Sequence, residues 1–174
     1  MIPPTLTLAS ASPRRSELLR AWGYAFQVVA PEVDEESLVA STPTRLVEVL
    51  AEAKARAARA KVRRGVLLAA DTVVACKDSV FGKPRDAAHA AEILRALSGK
   101  RHAVITGVCV MEARTGRART AHAVSHLSMK RLAAAEIAAY VATGAPMDKA
   151  GAYAIQEGGD RWVTLEEGRS PKFL

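Results

Sequence analysis

The sequence predicts an α/β protein, and three observations carry that prediction. A short apolar strand at Thr5–Ala9 runs into a helix that begins near Ser12. A longer apolar run with strand character covers 66–76, after a segment with helical spacing. Two further runs meet at a turn formed by 115–116, which is typical of a β-hairpin. With 174 residues, the chain is long enough for one domain, or for two small lobes around a shared sheet.

The first helix has recognisable start and stop signals. Ser12 is an N-cap residue followed by a proline, and Gly23 provides a left-handed stop. Between them, Leu18, Leu19 and Trp22 are spaced to form one apolar face. We therefore expect a short amphipathic helix directly after the first strand.

Two arginines lie in the opening turn of that helix. A helix N-terminus carries a partial positive charge, so Arg14 and Arg15 are mildly unfavourable there. The conflict disappears if an anion such as phosphate binds at the turn, where backbone N–H groups, serine hydroxyls and guanidinium groups would converge. The alternative is that both arginines are solvated surface residues, and this segment alone leaves the two interpretations open.

A second strand and a long helix follow. Tyr24–Val29 has strand character, and the acidic loop 31–41 contains Asp34, Glu35 and Glu36. Ser41, Thr42 and Pro43 then begin a helix. Its predicted inward face consists of Leu46, Val49, Leu50, Ala53 and Ala57.

Lys54 lies on the predicted inward face of this helix. It follows Leu50 by four residues and Leu46 by eight, so its side chain starts among apolar neighbours. Such a lysine either reaches a polar partner or extends past its neighbours to water, and the sequence leaves both possibilities open.

Polar residues interrupt the next two elements. Asp71 divides the apolar run over 66–76, and a buried carboxylate is costly unless it is paired or binds a metal. We therefore expect Asp71 at the end of the strand or in a polar site there, with a turn-capping role as the alternative. Lys83 lies in a turn before a helix that is capped by Asp86 and ends at Gly99.

The remaining elements are a hairpin, a helix and a short strand. Ala103–Met111 and Thr120–Met129 are the predicted strands of the hairpin. A helix is expected over Ala133–Thr143. The apolar segment Ala152–Ile155 is expected to form a strand that ends at Gln156.

No metal or disulfide site is evident among the histidines and cysteines. His122 and His126 share a strand face without a further ligand at metal spacing, so we assign them no role. Cys76 and Cys109 are far apart in apolar runs, which is typical of reduced, buried thiols. No signal-peptide pattern or membrane-length apolar run is present, so we expect a cytoplasmic protein with no membrane partner.

Charge favours an enzyme with an anionic substrate over a nucleic-acid-binding protein. The formal net charge is +7, but aromatic residues make up only 5% of the chain, and none lies within its densest basic cluster to stack on bases. A solvated helix face is therefore the favoured interpretation of that cluster. It consists of Lys54, Arg56, Arg59, Lys61, Arg63 and Arg64.

The order of short motifs resembles that of one enzyme family. The chain contains SASPRR, DEE, KA at Lys54, AADTVV, GKP, LSGKRHAVITGV and DKAGAYAIQ, in that order. Together they resemble the Maf family of nucleoside triphosphate pyrophosphatases over Leu6 to about Val163. Each motif alone is weak, and the specificity comes from their order and spacing.

The resemblance implies a fold, a reaction and a metal. It implies a single domain over residues 1–174, with a bent mixed β-sheet flanked by helices and a nucleotide cleft between two lobes. The reaction is hydrolysis between the α- and β-phosphates, with Mg²⁺ or Mn²⁺ as cofactor. The oligomeric state, monomer or homodimer, is left open.

Residues that match the family's functional positions acquire expected roles from the resemblance. Glu35, Asp71, Lys54 and Lys83 are expected to be catalytic, with Glu35 and Asp71 as metal ligands. The expected substrate-binding residues are Ser10, Arg14, Arg15, Thr72 and Gln156.

The same resemblance implies a substrate preference. Arg15, Thr72 and Gln156 match residues of the branch that acts on dTTP and UTP. A glutamine amide can pair with the imide edge of thymine or uracil, which is consistent with that match. Specificity for another base, such as that of 7-methyl-GTP, is one alternative. A nucleotide- or nucleic-acid-binding regulator linked to cell division is the other.

Overall fold

The computed structural model of the chain describes residues 5–155 and 159–168, without the side chain of residue 160. In chain order, its helices and strands are β1 (Leu6–Ala9), α1 (Pro13–Ala21), β2 (Phe26–Val28), α2 (Pro43–Arg59), β3 (Val66–Cys76), β4 (Ser79–Phe81), α3 (Ala87–Leu97), β5 (Arg101–Glu112), β6 (Ala118–Met129), α4 (Ala134–Ala142) and β7 (Val163–Gly168).

The described residues contain one seven-stranded mixed sheet. Its strand order is β2-β1-β3-β5-β6-β7, and β4 pairs with β3 beside this path. Strand β1 is parallel to β2 and β3, whereas the pairs β3/β4 and β6/β7 are antiparallel. The predicted α/β class, with a mixed sheet and flanking helices, is therefore confirmed.

The chain divides into two compact units. The first unit comprises the described residues of Met1–Asp71 together with Thr106–His122. The second unit comprises Thr72–Ile105 together with the described residues of Ala123–Leu174. The single domain over residues 1–174 and the nucleotide cleft stay predictions.

The core of the first unit lies between α2 and the sheet. Small residues of the helix pack against alternate residues of β3 and β5, because every second strand residue faces the same side. The buried residues of this cluster include Ala51, Ala55, Ala58, Leu67, Ala69, Cys109 and Met111.

The inward face predicted for α2 was wrong in part. The buried residues of the helix are Val47, Leu50, Ala51, Ala55 and Ala58. Of these, only Leu50 belongs to the predicted inward face. The physical reason is a close approach of backbones. A Cβ atom added at Gly107 of β5 would lie 2.4 Å from the carbonyl carbon and oxygen of Val47.

The second unit has a larger core with aromatic residues. The rings of Tyr140 and Trp162 meet edge to face at a centroid distance of 4.7 Å. Near them, His102 Nε2 lies 2.6 Å from the hydroxyl oxygen of Tyr153. Burial lowers the pKa of His102, so its neutral form is favoured inside this core.

The strand predicted over Ala152–Ile155 is wrong. A 3₁₀ turn covers Ala150–Ala152 instead. Gly151 and Ala152 have positive φ angles of 72° and 59°, which are incompatible with extended backbone. A Cβ at Gly151 would also lie 2.5 Å from Cγ2 of Val74, so close packing specifies glycine at this turn.

Other differences concern the ends of elements. Trp22 is 56% exposed because α1 ends at Ala21, so helical spacing no longer places it on the apolar face. Strands β4 and β7 were not predicted, since each is short or largely exposed.

Both cysteines are buried and free as predicted, and burial raises the pKa of Cys109 to about 11. None of the helices in the described ranges is long and apolar enough to cross a membrane.

Replacement of Gly107 by alanine tests the close approach of α2 to β5. The added methyl group meets backbone atoms that cannot rotate away, so we expect a loss of about 2 kcal/mol in the free energy of unfolding. Urea denaturation measures this loss. Gly82→Ala is the matched control, because a Cβ there meets no atom within 4 Å. Equal stability of the two variants would contradict the packing described here.

Candidate functional site

Three charged side chains meet in the first unit. Lys54 Nζ of α2 lies 2.5 Å from Asp71 Oδ1 of β3 and 2.9 Å from Glu35 Oε1 of the acidic loop. The side chains of Lys54 and Asp71 are 13% and 10% exposed, whereas that of Glu35 is 51% exposed. Of the two possibilities that the sequence left open for Lys54, the structure shows the polar partner, which is a pair of carboxylates, one buried and one half-exposed.

Helical and strand periodicity together explain this meeting. Lys54 follows Leu50 by four residues and precedes the buried Ala55, so its side chain leaves the helix near the packed stripe. Asp71 alternates with Leu67 and Ala69 of β3, which lie in the same core cluster as the α2 alanines. The side chains therefore converge at the margin of that core.

The structure decides between the two positions expected for Asp71, a strand end or a polar site. The residue lies inside the continuous strand β3, in a polar site with Lys54, and is only 7% exposed. A buried carboxylate at such a position needs a partner, and Lys54 supplies it. The alternative of a turn-capping role is thereby removed.

Burial raises the pKa of Asp71, because desolvation disfavours the charged carboxylate. The charge of Lys54 and its hydrogen bond oppose this shift. Glu35 adds a smaller raising effect by repulsion, and Arg15 a smaller lowering one. A carboxyl group with a raised pKa is better matched to proton transfer near neutral pH.

Ser10 and Arg15 form a second group at the entrance of α1. The Ser10 hydroxyl, which is buried, accepts hydrogen bonds from Ser12 N–H at 3.1 Å and from Arg15 Nη1 at 3.3 Å. Arg15 Nη1 also donates to the Ala70 carbonyl oxygen at 2.6 Å. Through Ala70, this group adjoins Asp71 directly along β3.

The remaining predicted site residues are placed differently. Among the residues that the structure describes, Arg14 forms no hydrogen bond or ion pair and is partly exposed. Lys83 is exposed and, within the same residues, also has no such partner, and it belongs to the second unit. Thr72 belongs to the second unit as well. Gln156 lies outside the described residues.

The chemistry of the two carboxylates fits a divalent cation that is completed by its substrate. Mg²⁺ is usually bound by one or two carboxylates together with substrate phosphates and waters. Glu35 and Asp71 both reach the same ammonium nitrogen, so their oxygens converge on one place. Within residues 5–155 and 159–168, no group of three or more His, Cys, Asp or Glu side chains could hold a metal alone.

Four of the six residues in the basic cluster, Lys54 among them, have partners within the first unit. Arg56 pairs with Glu52 at 2.5 Å, and Lys61 pairs with Glu32 at 3.0 Å. Arg59 donates to the carbonyl oxygen of Ala113 at 2.8 Å. These contacts favour the interpretation of a solvated, internally paired surface over a nucleic-acid interface.

The chain matches one family model and many curated proteins. The model described as Maf-like protein matches residues 5–170. A dTTP/UTP pyrophosphatase of Anaeromyxobacter dehalogenans (strain 2CP-C) is 48% identical over 95% of this chain and 84% of that protein. The dTTP/UTP pyrophosphatase of Moorella thermoacetica (strain ATCC 39073 / JCM 9320) is 46% identical over 94% of this chain and 84% of its own. The dTTP/UTP pyrophosphatase of Geobacter sp. (strain M21) is 44% identical over 94% of this chain and 85% of that protein.

A solved structure gives a weaker likeness. It is the nucleoside-triphosphatase / dITP/XTP pyrophosphatase of Mycobacterium abscessus ATCC 19977 / DSM 44196. It is 16% identical over 74% of this chain and 75% of that chain, with a TM-score of 0.46. This likeness is too low to bear on fold or function.

Double-mutant cycles test the two Lys54 contacts separately. We expect a coupling energy of about 2 kcal/mol between Lys54→Met and Asp71→Asn, because both side chains are buried. The coupling between Lys54→Met and Glu35→Gln should stay below about 1 kcal/mol, because the glutamate is half-exposed. Urea denaturation of the single and double variants measures both. Equal couplings, or a larger one for Glu35, would contradict the described burial.

Proposed function

Because the chain belongs to the Maf family, we propose that it is a nucleoside triphosphate pyrophosphatase that hydrolyses dTTP and UTP to the monophosphate and pyrophosphate. Three relatives at 44–48% identity bear the name dTTP/UTP pyrophosphatase, and they support this activity. The observation that carries the proposal is the convergence of Asp71 and Glu35 on Lys54. This set supplies oxygen ligands, a proton acceptor and a cation in one place.

Two cations without an ion-pair partner among the described residues bind the triphosphate. Arg14 and Lys83 form no ion pair with any described residue, so their charges are available to phosphate oxygens. The N-terminus of α1 adds backbone N–H groups and a favourable dipole for an anion. The Ser10 hydroxyl beside it can orient one phosphate.

Glu35 and Asp71 hold a divalent cation, Mg²⁺ or Mn²⁺. When bound, this cation lowers the pKa of a water molecule and offsets charge on the phosphates. The half-exposed Glu35 side chain can turn toward a ligand at little cost, whereas the buried Asp71 is fixed by Lys54. The two carboxylates therefore differ in mobility, which suits one adaptable ligand and one rigid ligand.

Asp71 accepts the proton of the attacking water. Its pKa is raised mainly by burial, which makes the carboxylate a stronger base than a solvated aspartate. Lys54 contacts Oδ1, which leaves the lone pairs of Oδ2 for the cation and for the proton. Lys54 then stabilises the negative charge that returns to Asp71 when the proton leaves.

The base is selected by Thr72 and Gln156. A glutamine side chain offers one donor and one acceptor, which matches the carbonyl and imide N–H of thymine and uracil. We also propose a cytoplasmic location and a single domain over residues 1–174, while a homodimer stays a prediction. Among the described residues, the paired cations in and just after α2 give little support to the alternative of a nucleic-acid-binding regulator.

A panel of triphosphates tests the proposed reaction. The purified protein is incubated with dTTP, UTP, CTP, ATP and 7-methyl-GTP, with Mg²⁺ or Mn²⁺, and pyrophosphate release is measured. We expect kcat/KM for dTTP and UTP to exceed the others by at least about tenfold, as a hydrogen-bonding base site discriminates strongly. EDTA should remove activity. No turnover of any triphosphate would refute the proposal, and preference for 7-methyl-GTP would favour the other base specificity.

Asp71→Asn tests the catalytic carboxylate. Loss of a proton acceptor and a metal ligand should lower kcat by at least about 1,000-fold in the folded variant, whose thermal unfolding midpoint also falls because Lys54 loses its buried partner. Asp78→Asn, in the exposed β3–β4 turn, is the matched control and should retain full activity. A near-normal rate in Asp71→Asn would remove Asp71 from the mechanism.

A further inference from the structure

We propose that Arg15 is a positioning residue, which holds the part of β3 that carries Asp71 in place and does not read the base. The inference rests on the proposed function. It assigns different tasks to the two neighbouring arginines of α1, although the resemblance implied substrate binding for both. The carrying observation is the pair of contacts made by Arg15 Nη1 within the first unit.

The contact with Ala70 acts directly on the catalytic aspartate. Arg15 Nη1 donates to the Ala70 carbonyl oxygen at 2.6 Å, and that carbonyl belongs to the peptide group that joins Ala70 to Asp71. The peptide group is planar, so fixing its oxygen also fixes the N–H and Cα of Asp71. Arg15 thereby restrains the backbone from which the carboxylate projects.

The contact with Ser10 extends this restraint to β1. The Ser10 hydroxyl accepts from Arg15 Nη1 at 3.3 Å and from Ser12 N–H at 3.1 Å. Strands β1 and β3 are parallel neighbours, with Ala9 opposite Ala69. One guanidinium group therefore joins the segment between β1 and α1 to the middle of β3. Ser10 in that segment and Asp71 in β3 are both buried.

The electrostatic setting explains why an arginine occupies this position. Burial lowers the pKa of Arg15, while the negative charges of Asp71 and Glu35 oppose that effect. A planar guanidinium can serve separated acceptors at once and keeps its charge when desolvated. A neutral donor could bind the Ala70 carbonyl but would not complement the two carboxylates.

Arg14 provides the internal comparison. It precedes Arg15 in α1, yet it forms no hydrogen bond or ion pair with the described residues. Its guanidinium is thus open to a phosphate, whereas that of Arg15 already donates to the protein. The two side chains should consequently give different kinetic defects when they are replaced.

The experiment compares Arg15→Gln, Arg15→Lys and Arg14→Gln with dTTP, UTP and CTP. We expect Arg15→Gln to lower kcat by about tenfold to 100-fold for every triphosphate that the wild type hydrolyses, with KM changed less than about twofold. Arg15→Lys, which retains the charge and one donor, should recover part of this loss. Arg14→Gln should instead raise KM, because it removes a phosphate contact.

Hydrogen exchange of the peptide that covers 66–76 supplies a readout that needs no activity. Its amides should exchange at least about tenfold faster in Arg15→Gln than in the wild type, and no faster in Arg14→Gln. If Arg15→Gln does not fold, Arg15→Lys is compared in the same way.

Four results would overturn the inference. They are a changed ratio of kcat/KM between dTTP, UTP and CTP, a raised KM with normal kcat, no recovery in Arg15→Lys, or unchanged exchange in 66–76. Absence of wild-type turnover would refute the proposed function alone, since the exchange comparison still decides whether Arg15 restrains β3.

Discussion

The buried contact between Lys54 and Asp71 is the interaction on which the site depends. A carboxylate inside β3 would be costly without a partner, and a lysine beside the packed face of α2 would be equally costly. Each side chain supplies the charged partner that the other needs. Near its start, α2 also lies very close to the sheet, where Gly107 permits the approach of Val47. The same helix therefore contributes to the packing of the first unit and to its site.

The two carboxylates on Lys54 differ in a useful way. Asp71 is buried and fixed by the lysine, whereas Glu35 projects from a loop and is half-exposed. The cations also differ in whether they have a partner within the protein. Some, such as Arg15 and Arg59, donate to backbone carbonyls, while Arg14 has no partner among the described residues. We propose that Arg15 positions the site and that Arg14 binds the substrate.

Local signals in the sequence predicted most elements, but they could not specify how those elements pack. Caps, glycines and alternation are local, so α1, α3 and the β5/β6 hairpin were placed correctly. The buried stripe of α2 depends on a glycine 60 residues away in β5, at Gly107, which periodicity alone cannot reveal. Asp71 was expected at a strand end or in a polar site because a buried carboxylate is costly, and the sequence could not choose between them because the compensating Lys54 lies on another element. The contact of Arg15 with Ala70 is equally non-local.

The most direct test of the account is the NMR spectrum of the lysine side-chain ammonium groups at neutral pH. An ammonium held between two carboxylates and shielded from water should exchange its protons slowly, so Lys54 should give a sharp ¹⁵Nζ–H signal that disappears in Lys54→Arg. The account predicts that this signal is lost in Asp71→Asn and retained in Glu35→Gln, because the buried contact dominates. A Lys54 ammonium that exchanges as fast as those of surface lysines would contradict it.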